Sequence, residues 1–230
     1  MKKWSGSIAF LFAITCVHSA LGSIISTSGQ VVSISPPASV AKNALQSNTT
    51  DVVFQEQNGL ALASPLAVNA TKPGTYTSVA SLTPGVIAAG TVIQDYFLHS
   101  DPIDNSGLNF IGSITFDSNI LGVIALSGDL SSTDSTLGHA GTAYPTGDAG
   151  RGYELTGSTQ DQFTISPDMR TLSFNVHTYT DLDQLRVITS VPEPASVGLL
   201  GAALFCFALF ARKFAWRCPP AESAITRRSL

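Results

Sequence analysis

The stretch Leu172-Ser173-Phe174-Asn175-Val176-His177 decides the fold class of this chain. Its apolar side chains occupy every second position, and polar side chains stand between them. Successive side chains of a β-strand point to opposite faces, so this alternation predicts a strand with one buried and one solvent-exposed face. We expect that strand to cover residues 171–179.

Other segments between residues 23 and 190 have the same character. Ser, Thr, Gly, Val, Ile and Leu are common there, whereas Glu, Lys and Met are scarce, and this composition is typical of β-structure. Residues 91–98 are more continuously apolar, which predicts a central strand covered on both faces. Further strands are predicted at residues 74–81, 91–99, 112–117, 121–127, 162–166 and 184–189.

The connections between these strands also give predictions. Asn58-Gly59 tolerates the positive backbone dihedrals of a tight turn, so residues 51–57 and 60–63 are expected to form a hairpin. Residues 130–157 are dominated by Ser, Thr, Asp and Gly, which indicates a long surface loop. We expect no amphipathic helix between residues 23 and 190, so two sheets must cover each other. The predicted fold is all-β, a single β-sandwich of jelly-roll-like type.

The amino-terminal end has the pattern of a secretory signal peptide. Lys2 and Lys3 provide a positive charge, residues 8–17 are apolar, and Ala20-Leu21-Gly22 is a small-x-small cleavage pattern. Residues 1–22 are therefore predicted to be a signal peptide and residues 23–190 the exported domain. Cleavage after Ala20 remains an alternative to cleavage after Gly22.

The carboxyl-terminal end has three parts. Val191-Pro192-Glu193-Pro194 is followed by an uncharged apolar run over residues 195–211, and then by a basic cluster. About 17 residues at ~1.5 Å rise span roughly 25 Å, which is just enough for a transmembrane helix. The cluster consists of Arg212, Lys213 and Arg217, and residues 218–230 are predicted to be a cytoplasmic tail.

This layout resembles the C-terminal sorting signal of PEP-CTERM proteins, which is also known as the ice-binding protein C-terminal domain. In this chain Val191, Pro192, Glu193 and Pro194 match the sorting core, Arg212, Lys213 and Arg217 match the basic stop, and residues 191–217 form the whole signal. The resemblance implies processing by an exosortase-type membrane enzyme. It further implies release or attachment at the surface of an exopolysaccharide-producing Gram-negative bacterium, in a matrix or biofilm.

Charge and cysteine content agree with export. Residues 23–190 hold five basic and fourteen acidic side chains, a formal charge of −9, so the positive charge lies at the two ends of the chain. Basic ends tend to stay in the cytoplasm, which places the acidic middle outside and disfavours a nucleic-acid partner. No cysteine lies in this region, so its stability is expected to come from burial and hydrogen bonding alone.

The sequence offers little for catalysis or metal binding. No Gly-x-Ser-x-Gly elbow is present, and we expect no enzyme, no cofactor and no zinc site. Calcium is kept as an alternative, because Asp and Asn oxygens are its preferred ligands. The candidate bases are His99, His139 and His177, the candidate carboxylates are Glu56 and Glu154, and the calcium candidates are Asp101, Asp104, Asn105 and residues 129–134.

The predicted function is that of a non-enzymatic exported surface or matrix protein associated with exopolysaccharide. One alternative is a carbohydrate-binding module, which would place exposed tyrosines in a row on one face. Another is a carbohydrate-active enzyme with a carboxylate pair in a cleft, and a third is a permanently anchored membrane protein. The tyrosines considered for a binding row are Tyr76, Tyr96, Tyr144, Tyr153 and Tyr179.

Overall fold

The computed structural model describes residues 23–103, 107–156, 161–179 and 181–192. Within these ranges the chain forms twelve strands and one α-helix. The strands are β1 Ile24–Gly29, β2 Val31–Ser33, β3 Asp51–Ala61, β4 Leu66–Val68, β5 Gly74–Tyr76, β6 Gly85–Ile87, β7 Val92–Ser100, β8 Leu108–Phe116, β9 Ile120–Ile124, β10 Gln162–Ile165, β11 Thr171–Thr178 and β12 Asp183–Ser190.

Ten of these strands build two five-stranded sheets. Sheet A has the order β1-β8-β11-β10-β5, and sheet B has the order β2-β3-β7-β12-β9. The pairs are antiparallel except for β2 and β3, while β4 and β6 form a separate small pair. The prediction of an all-β fold with two sheets is confirmed.

The main hydrophobic core contains the inward-facing residues of both sheets. Val53, Leu98 and Leu185 come from sheet B, and Phe110 and Leu172 come from sheet A. Each lies two residues from the next inward-facing position on its strand, as the pleat of a β-strand requires. Burying an apolar side chain of this size stabilises a fold by about 1.5–3 kcal/mol, so this layer holds the two sheets together.

The strand β7 lies in the middle of sheet B and is buried on both faces, as predicted. Tyr96 and Leu98 face the main core. Ile93 and Phe97 belong to a second hydrophobic cluster, which also contains Leu130 and lies on the other face of sheet B. Both faces of sheet B are therefore covered by packed hydrophobic side chains.

The second cover includes the helix α1, Ser127–Leu137, where the sequence had indicated a surface loop. The prediction of no helix is wrong because only Leu130, Thr133 and Leu137 of α1 are buried, too few apolar positions to form a recognisable stripe. Asn69 lies beside the start of α1, and its side-chain oxygen accepts the amides of Ala125 and Leu126 at 2.8 and 3.1 Å. Its amide group donates to the Asp129 carboxylate at 2.7 Å.

The predicted hairpin at Asn58-Gly59 is also wrong. β3 continues through both residues to Ala61, and Leu60 and Ala61 pair with β7 rather than folding back on β3. Gly59 has the expected positive φ of 75°, but the register shift between Asn58 and Leu60 identifies a β-bulge. A bulge and a tight turn both need this backbone conformation, so the dipeptide alone does not distinguish them.

The remaining strand predictions agree in part. The strands predicted at residues 162–166 and 171–179 are confirmed as β10 and β11, which form a hairpin with Ser166 and Asp168 hydrogen-bonded in its turn and Met169 at a φ of 58°. Of residues 74–81, only Gly74–Tyr76 form a strand, because Val79–Ser81 form one turn of 3-10 helix. No strand was predicted at the positions of β1, β2, β4 and β6.

Three predicted segments lie outside the described residues. They are the signal peptide at 1–22, the transmembrane helix at 195–211 and the tail at 218–230. Among the residues that the structure does describe, no helix is long and apolar enough to cross a membrane.

Candidate functional site at the end of the last strand

The predicted sorting segment begins where β12 ends. Ser190 is the last residue of β12, and its amide donates to the Asn119 carbonyl at 2.9 Å. Val191 and Pro192 follow as half-buried residues without regular structure. The other predicted signal residues lie outside the described ranges, namely Glu193, Pro194, Arg212, Lys213 and Arg217.

The strand β12 is held on both sides. It pairs with β7 over all eight of its residues, from Asp183 to Ser190, and with β9 on its other edge. An interior strand has its backbone donors and acceptors satisfied by two neighbours, so it is harder to detach than an edge strand. The sorting segment is thus joined to one of the best-held strands of the domain.

A buried arginine on β12 fixes the strand to α1 and β3. The Arg186 guanidinium donates to the two Glu56 carboxylate oxygens at 2.6 and 2.9 Å, a bidentate ion pair. It also donates to the Thr133 hydroxyl at 2.7 Å and lies 5.1 Å from the centre of the Phe97 ring. Arg186 and Glu56 are fully buried, so this contact connects three elements inside the protein.

Two further acids and a second arginine complete an arginine network. Arg186 approaches Asp95 at 3.4 Å and Asp134 at 3.2 Å, and Asp134 also accepts from Arg151. Burial raises the pKa of Asp95 well above its ordinary value, and the neighbouring Glu56 carboxylate raises it further. Burial alone would lower the pKa of Arg186, but the surrounding carboxylates, above all Glu56, outweigh this and raise it.

His99 lies beside this network and is neutral at physiological pH. Its Nδ1 atom accepts from the Gln184 amide at 2.9 Å, and Gln184 in turn accepts from Arg151 at 2.8 Å. Burial, with a smaller contribution from the Arg151 charge, lowers the pKa of His99 to about 4. A buried histidine held in this way is a structural residue.

A second group of buried charges, the carboxylate cluster, consists of Asp51, Asp161 and Asp183. Asp183 lies opposite Ser100 in the pairing of β12 with β7, and Asp51 begins the adjacent strand β3. Val53, Leu98 and Leu185, each two residues away on the same three strands, belong to the main core. Side chains two residues apart on a strand point to the same face, so Asp51, Ser100 and Asp183 also point towards sheet A.

Asp161 approaches the cluster from the sheet A side. Its carboxylate accepts the amides of Glu154 and His177 at 2.7 and 2.8 Å. By contrast, both Asp51 carboxylate oxygens and the Tyr153 hydroxyl are buried without a hydrogen-bond partner. The cluster therefore contains buried polar atoms that lack a hydrogen-bond partner among the described residues.

The pKa values of the cluster are all raised. Burial is the main cause for each of the three carboxyls, and it raises the pKa of Asp161 to about 6. The pKa values of Asp51 and Asp183 lie well above the ordinary value, and the Asp161 charge contributes to both. Burial raises the pKa of Tyr153 as well, with contributions from the three carboxylates.

The structure brings two of the candidate catalytic residues, Glu154 and His177, to one cavity. Glu56 is paired with Arg186, whereas Glu154 is exposed beside a cavity of about 120 Å³ that His177 and Asp183 also line. His139 lies after α1 with its Nδ1 atom 3.4 Å from the Thr142 hydroxyl.

The calcium candidates that the structure describes lie in different parts of the domain. Asp101 accepts the amide of Asn43 at 2.7 Å, and residues 129–134 form part of α1, where Asp129 contacts Asn69 and Asp134 contacts the arginines. Asp104 and Asn105 lie outside the described residues. In the part of the chain that the structure describes, no three His, Cys, Asp or Glu side chains are placed to hold a metal ion. Calcium binding stays a prediction.

The five tyrosines do not form a row. Tyr76, Tyr96 and Tyr153 are buried, and Tyr144 packs edge-on against Phe97. Tyr179 is 48 % exposed. The arrangement expected of an aromatic carbohydrate-binding platform is therefore not formed by these rings.

The outer face of sheet A instead carries a polar groove of about 450 Å³. None of the described residues that line it carries a charged side chain. The lining residues are Ser28, Gly29, Ile111, Gly112, Ser113, Gln162, Thr164, Ser173, Phe174 and Asn175.

Hydroxyl groups cross this groove in a row. The Ser28 and Ser113 hydroxyls are 2.9 Å apart near one edge of the sheet. The Thr75 and Thr164 hydroxyls are 2.9 Å apart near the other edge, on the same face. Ser173 lies between these pairs, opposite both Ser113 and Thr164 in the strand pairing. One hydroxyl from each of the five strands thus contributes to the row, at the strand spacing of about 4.8 Å.

The fold and the position of the segment after β12 define an all-β protein with a C-terminal sorting segment. Residues 190–213 match the family model of the PEP-CTERM protein-sorting motif. The chain is therefore a PEP-CTERM sorting domain-containing protein. The match covers about a tenth of the sequence and includes the Pro-Glu-Pro core and the first two residues of the basic stop. Searches of curated proteins and of solved structures found no match.

Proposed function

We propose that this chain is a non-enzymatic surface or extracellular-matrix protein that an exosortase-type enzyme sorts through its C-terminal signal. The observation that carries the proposal is the PEP-CTERM motif at residues 190–213, which starts at the last residue of β12. In this proposal a signal peptide at residues 1–22 starts export, and a helix at 195–211 holds the chain in the inner membrane until processing. The β-sandwich is the exported part.

In this proposal the exported domain is a jelly-roll-like sandwich. The jelly-roll type is supported by the chain path, because the chain crosses between sheets A and B at each step from β7 to β10. Its lack of cysteine is compatible with export because the described core depends on apolar contacts and buried ion pairs. Glu56 and His99 are both held by buried partners, and this supports a role without catalysis.

Processing can be tested by mass spectrometry of the mature carboxyl terminus. The full chain would be expressed in an exopolysaccharide-producing host with an exosortase and in the same host lacking that enzyme. We expect peptides from residues 218–230 to be lost from the exported protein in the first host and retained in the second. Retention in both hosts would identify a permanent anchor and contradict sorting.

A pair of variants separates the motif from the tail. Glu193→Ala changes the centre of the Pro-Glu-Pro core, whereas Glu222→Ala changes an acid in the predicted tail. We expect the first to block removal of residues 218–230 and the second to leave removal unchanged. Equal processing of both would show that the core is not what the enzyme reads.

We further propose that the groove on sheet A contacts a neutral polysaccharide of the matrix. Hydroxyl groups both donate and accept hydrogen bonds, so the row through Ser113, Ser173 and Thr164 matches a polymer that carries many hydroxyls. A domain with a formal charge of −9 repels anionic polymers, but the uncharged groove presents no such barrier to a neutral one. Ile111 is 57 % exposed and adds an apolar contact at the rim.

Affinity electrophoresis of the exported protein tests this contact. Dextran in the gel serves as a neutral polysaccharide and alginate as an anionic one. We expect retardation by dextran but not by alginate, and its loss in Ser173→Lys, which places a long charged side chain in the groove. Ser132→Lys is the matched control, since Ser132 is exposed on α1. Equal mobility with and without dextran would contradict this contact without affecting the sorting proposal.

A further inference from the structure

The first described residue of the chain is hydrogen-bonded to the turn between β8 and β9. The Ser23 amide nitrogen donates to the Asp117 Oδ2 atom at 2.8 Å, and the Ser23 hydroxyl lies 3.3 Å from the same atom. The Asp117 amide donates back to the Ser23 carbonyl at 3.2 Å. Strand β1 begins at the next residue, with Ile24 opposite Phe116.

Asp117 lacks donors for its other oxygen. Its Oδ1 atom is buried and has no hydrogen-bond partner, and none of the ion pairs among the described residues includes Asp117. A peptide N–H offers one proton, whereas an ammonium group offers three and a positive charge. An ammonium group at Ser23 could therefore donate to both carboxylate oxygens.

We infer that signal cleavage occurs between Gly22 and Ser23, and that the new α-ammonium group of Ser23 is the counter-ion of Asp117. Hydrolysis adds water across the Gly22–Ser23 peptide bond and leaves a carboxylate on Gly22 and an ammonium on Ser23. An α-amino group has a pKa of about 7.7–8.0, so it is mostly charged at neutral pH. This inference rests on export by the proposed signal peptide.

The alternative cleavage after Ala20 does not have this effect. It would leave two residues ahead of Ser23, so the Ser23 nitrogen would stay a peptide amide with one proton. The small-x-small pattern ending at Gly22 and the unsatisfied Asp117 oxygen are independent observations that indicate the same bond.

The first test determines the amino terminus of the exported full-length product by mass spectrometry. We expect the first residue to be Ser23. A mature chain that begins at Leu21 or at any residue other than Ser23 overturns the inference. Cleavage at Ser23 without removal of the carboxyl-terminal tail would support the inference while contradicting the proposed sorting.

The second test measures the ion pair by a double-mutant cycle on the exported protein. One variant carries a Gly-Ser insertion between Gly22 and Ser23, which turns the Ser23 ammonium into an amide, and the other is Asp117→Asn. We expect each to lower the melting temperature by roughly 2–4 °C, as for the loss of one charge-assisted hydrogen bond in a domain of this size. The two together should lower it no further than either alone, and additive losses would overturn the ion pair.

Discussion

The arginine network and the carboxylate cluster are two ways of burying charge on the same strands of sheet B. Arg186 and Asp183 both belong to β12, but Arg186 points towards α1 and Asp183 points towards sheet A. The network combines two arginines with three acids, and burial raises the pKa of one of these acids, Asp95. The cluster combines three carboxyls with no cation among the described ion pairs.

The difference shows that a buried charge needs a partner of opposite charge as well as hydrogen bonds. In the network, burial and charge act in opposite directions on Arg186, and the ion pairs prevail. In the cluster, burial and repulsion both raise the pKa values of Asp51 and Asp183, so the protonated forms are favoured. The network should therefore stabilise the folded state through its charges, whereas the cluster should destabilise it when ionised.

The largest expected effect comes from breaking the network. Arg186→Met keeps the length of the side chain but leaves Glu56 and Asp95 without their cation. Removal of one partner from a buried pair costs about 3–5 kcal/mol, which chemical denaturation of the exported protein would measure. Lys42→Met is the matched control, because Lys42 and Asp181 form an exposed pair worth under about 1 kcal/mol. Equal losses in the two variants would refute the distinction.

The pH dependence of unfolding tests the cluster as a whole. The folded-state pKa of Asp161 is about 6, above the value of about 3.9 for an unfolded aspartate. The folded state therefore binds a proton that the unfolded state has released, and stability falls as pH rises through this window. We expect the unfolding free energy to be higher at pH 5 than at pH 8, with a slope of up to about 1.4 kcal/mol per pH unit for each such proton. The pKa of His99, lowered to about 4, contributes with the opposite sign below the unfolded value of about 6.5, so the measurement is made in a His99→Gln background. A rise in stability from pH 5 to pH 8 in that background would contradict an uncompensated cluster.

Removing one acid from the cluster should have the opposite sign to removing Arg186. Asp51→Asn keeps the shape of the side chain and deletes a carboxyl whose ionisation is unfavourable. We expect this change to raise the unfolding free energy at pH 8, and by less at pH 5, because the raised pKa of Asp51 moves the carboxyl towards its protonated form as pH falls. Denaturation at both pH values measures the difference, and destabilisation at pH 8 would count against the assignment.

A smaller effect is expected from loosening the helix that covers the network. Asn69→Ala removes the side chain that accepts the amides of Ala125 and Leu126 just before α1 and donates to Asp129 in its first turn. We expect this loss to cost about 1 kcal/mol, as for a typical hydrogen bond. Asn48→Ala is a matched control, since Asn48 accepts one exposed amide, that of Ile103. Hydrogen exchange should increase in α1 for the first variant, and an unchanged exchange rate there would show that Asn69 does not hold the helix.

The sequence predicted the regular part of the fold well. Strands such as β11 alternate strictly, and β7 is apolar along most of its length, so local patterns were sufficient. The helix α1 was missed because it is mostly Ser, Thr and Asp and depends on Asn69, which is about sixty residues away. The Asn58-Gly59 bulge was missed because its backbone conformation is shared with a turn.

The sorting segment was predicted because it is a contiguous motif. The match of residues 190–213 to the family model of the sorting motif confirms this prediction. The buried charges were not, because their partners are far apart in sequence, 130 residues in the case of Arg186 and Glu56. One signal was available, since a charged residue flanked by apolar residues in a strand, such as Arg186 between Leu185 and Val187 in β12, needs a buried partner. The sequence does not identify that partner.

The placement of the sorting segment after an interior strand has a mechanical consequence. Tension on a chain that is tethered through residues beyond Ser190 acts along β12, parallel to its two ladders with β7 and β9. Shearing that strand out requires many hydrogen bonds to break together, whereas an edge strand pulled sideways unzips one bond at a time. Arg186 adds contacts with β3 and α1, so β12 is held against shear at the point where the sorting segment follows it.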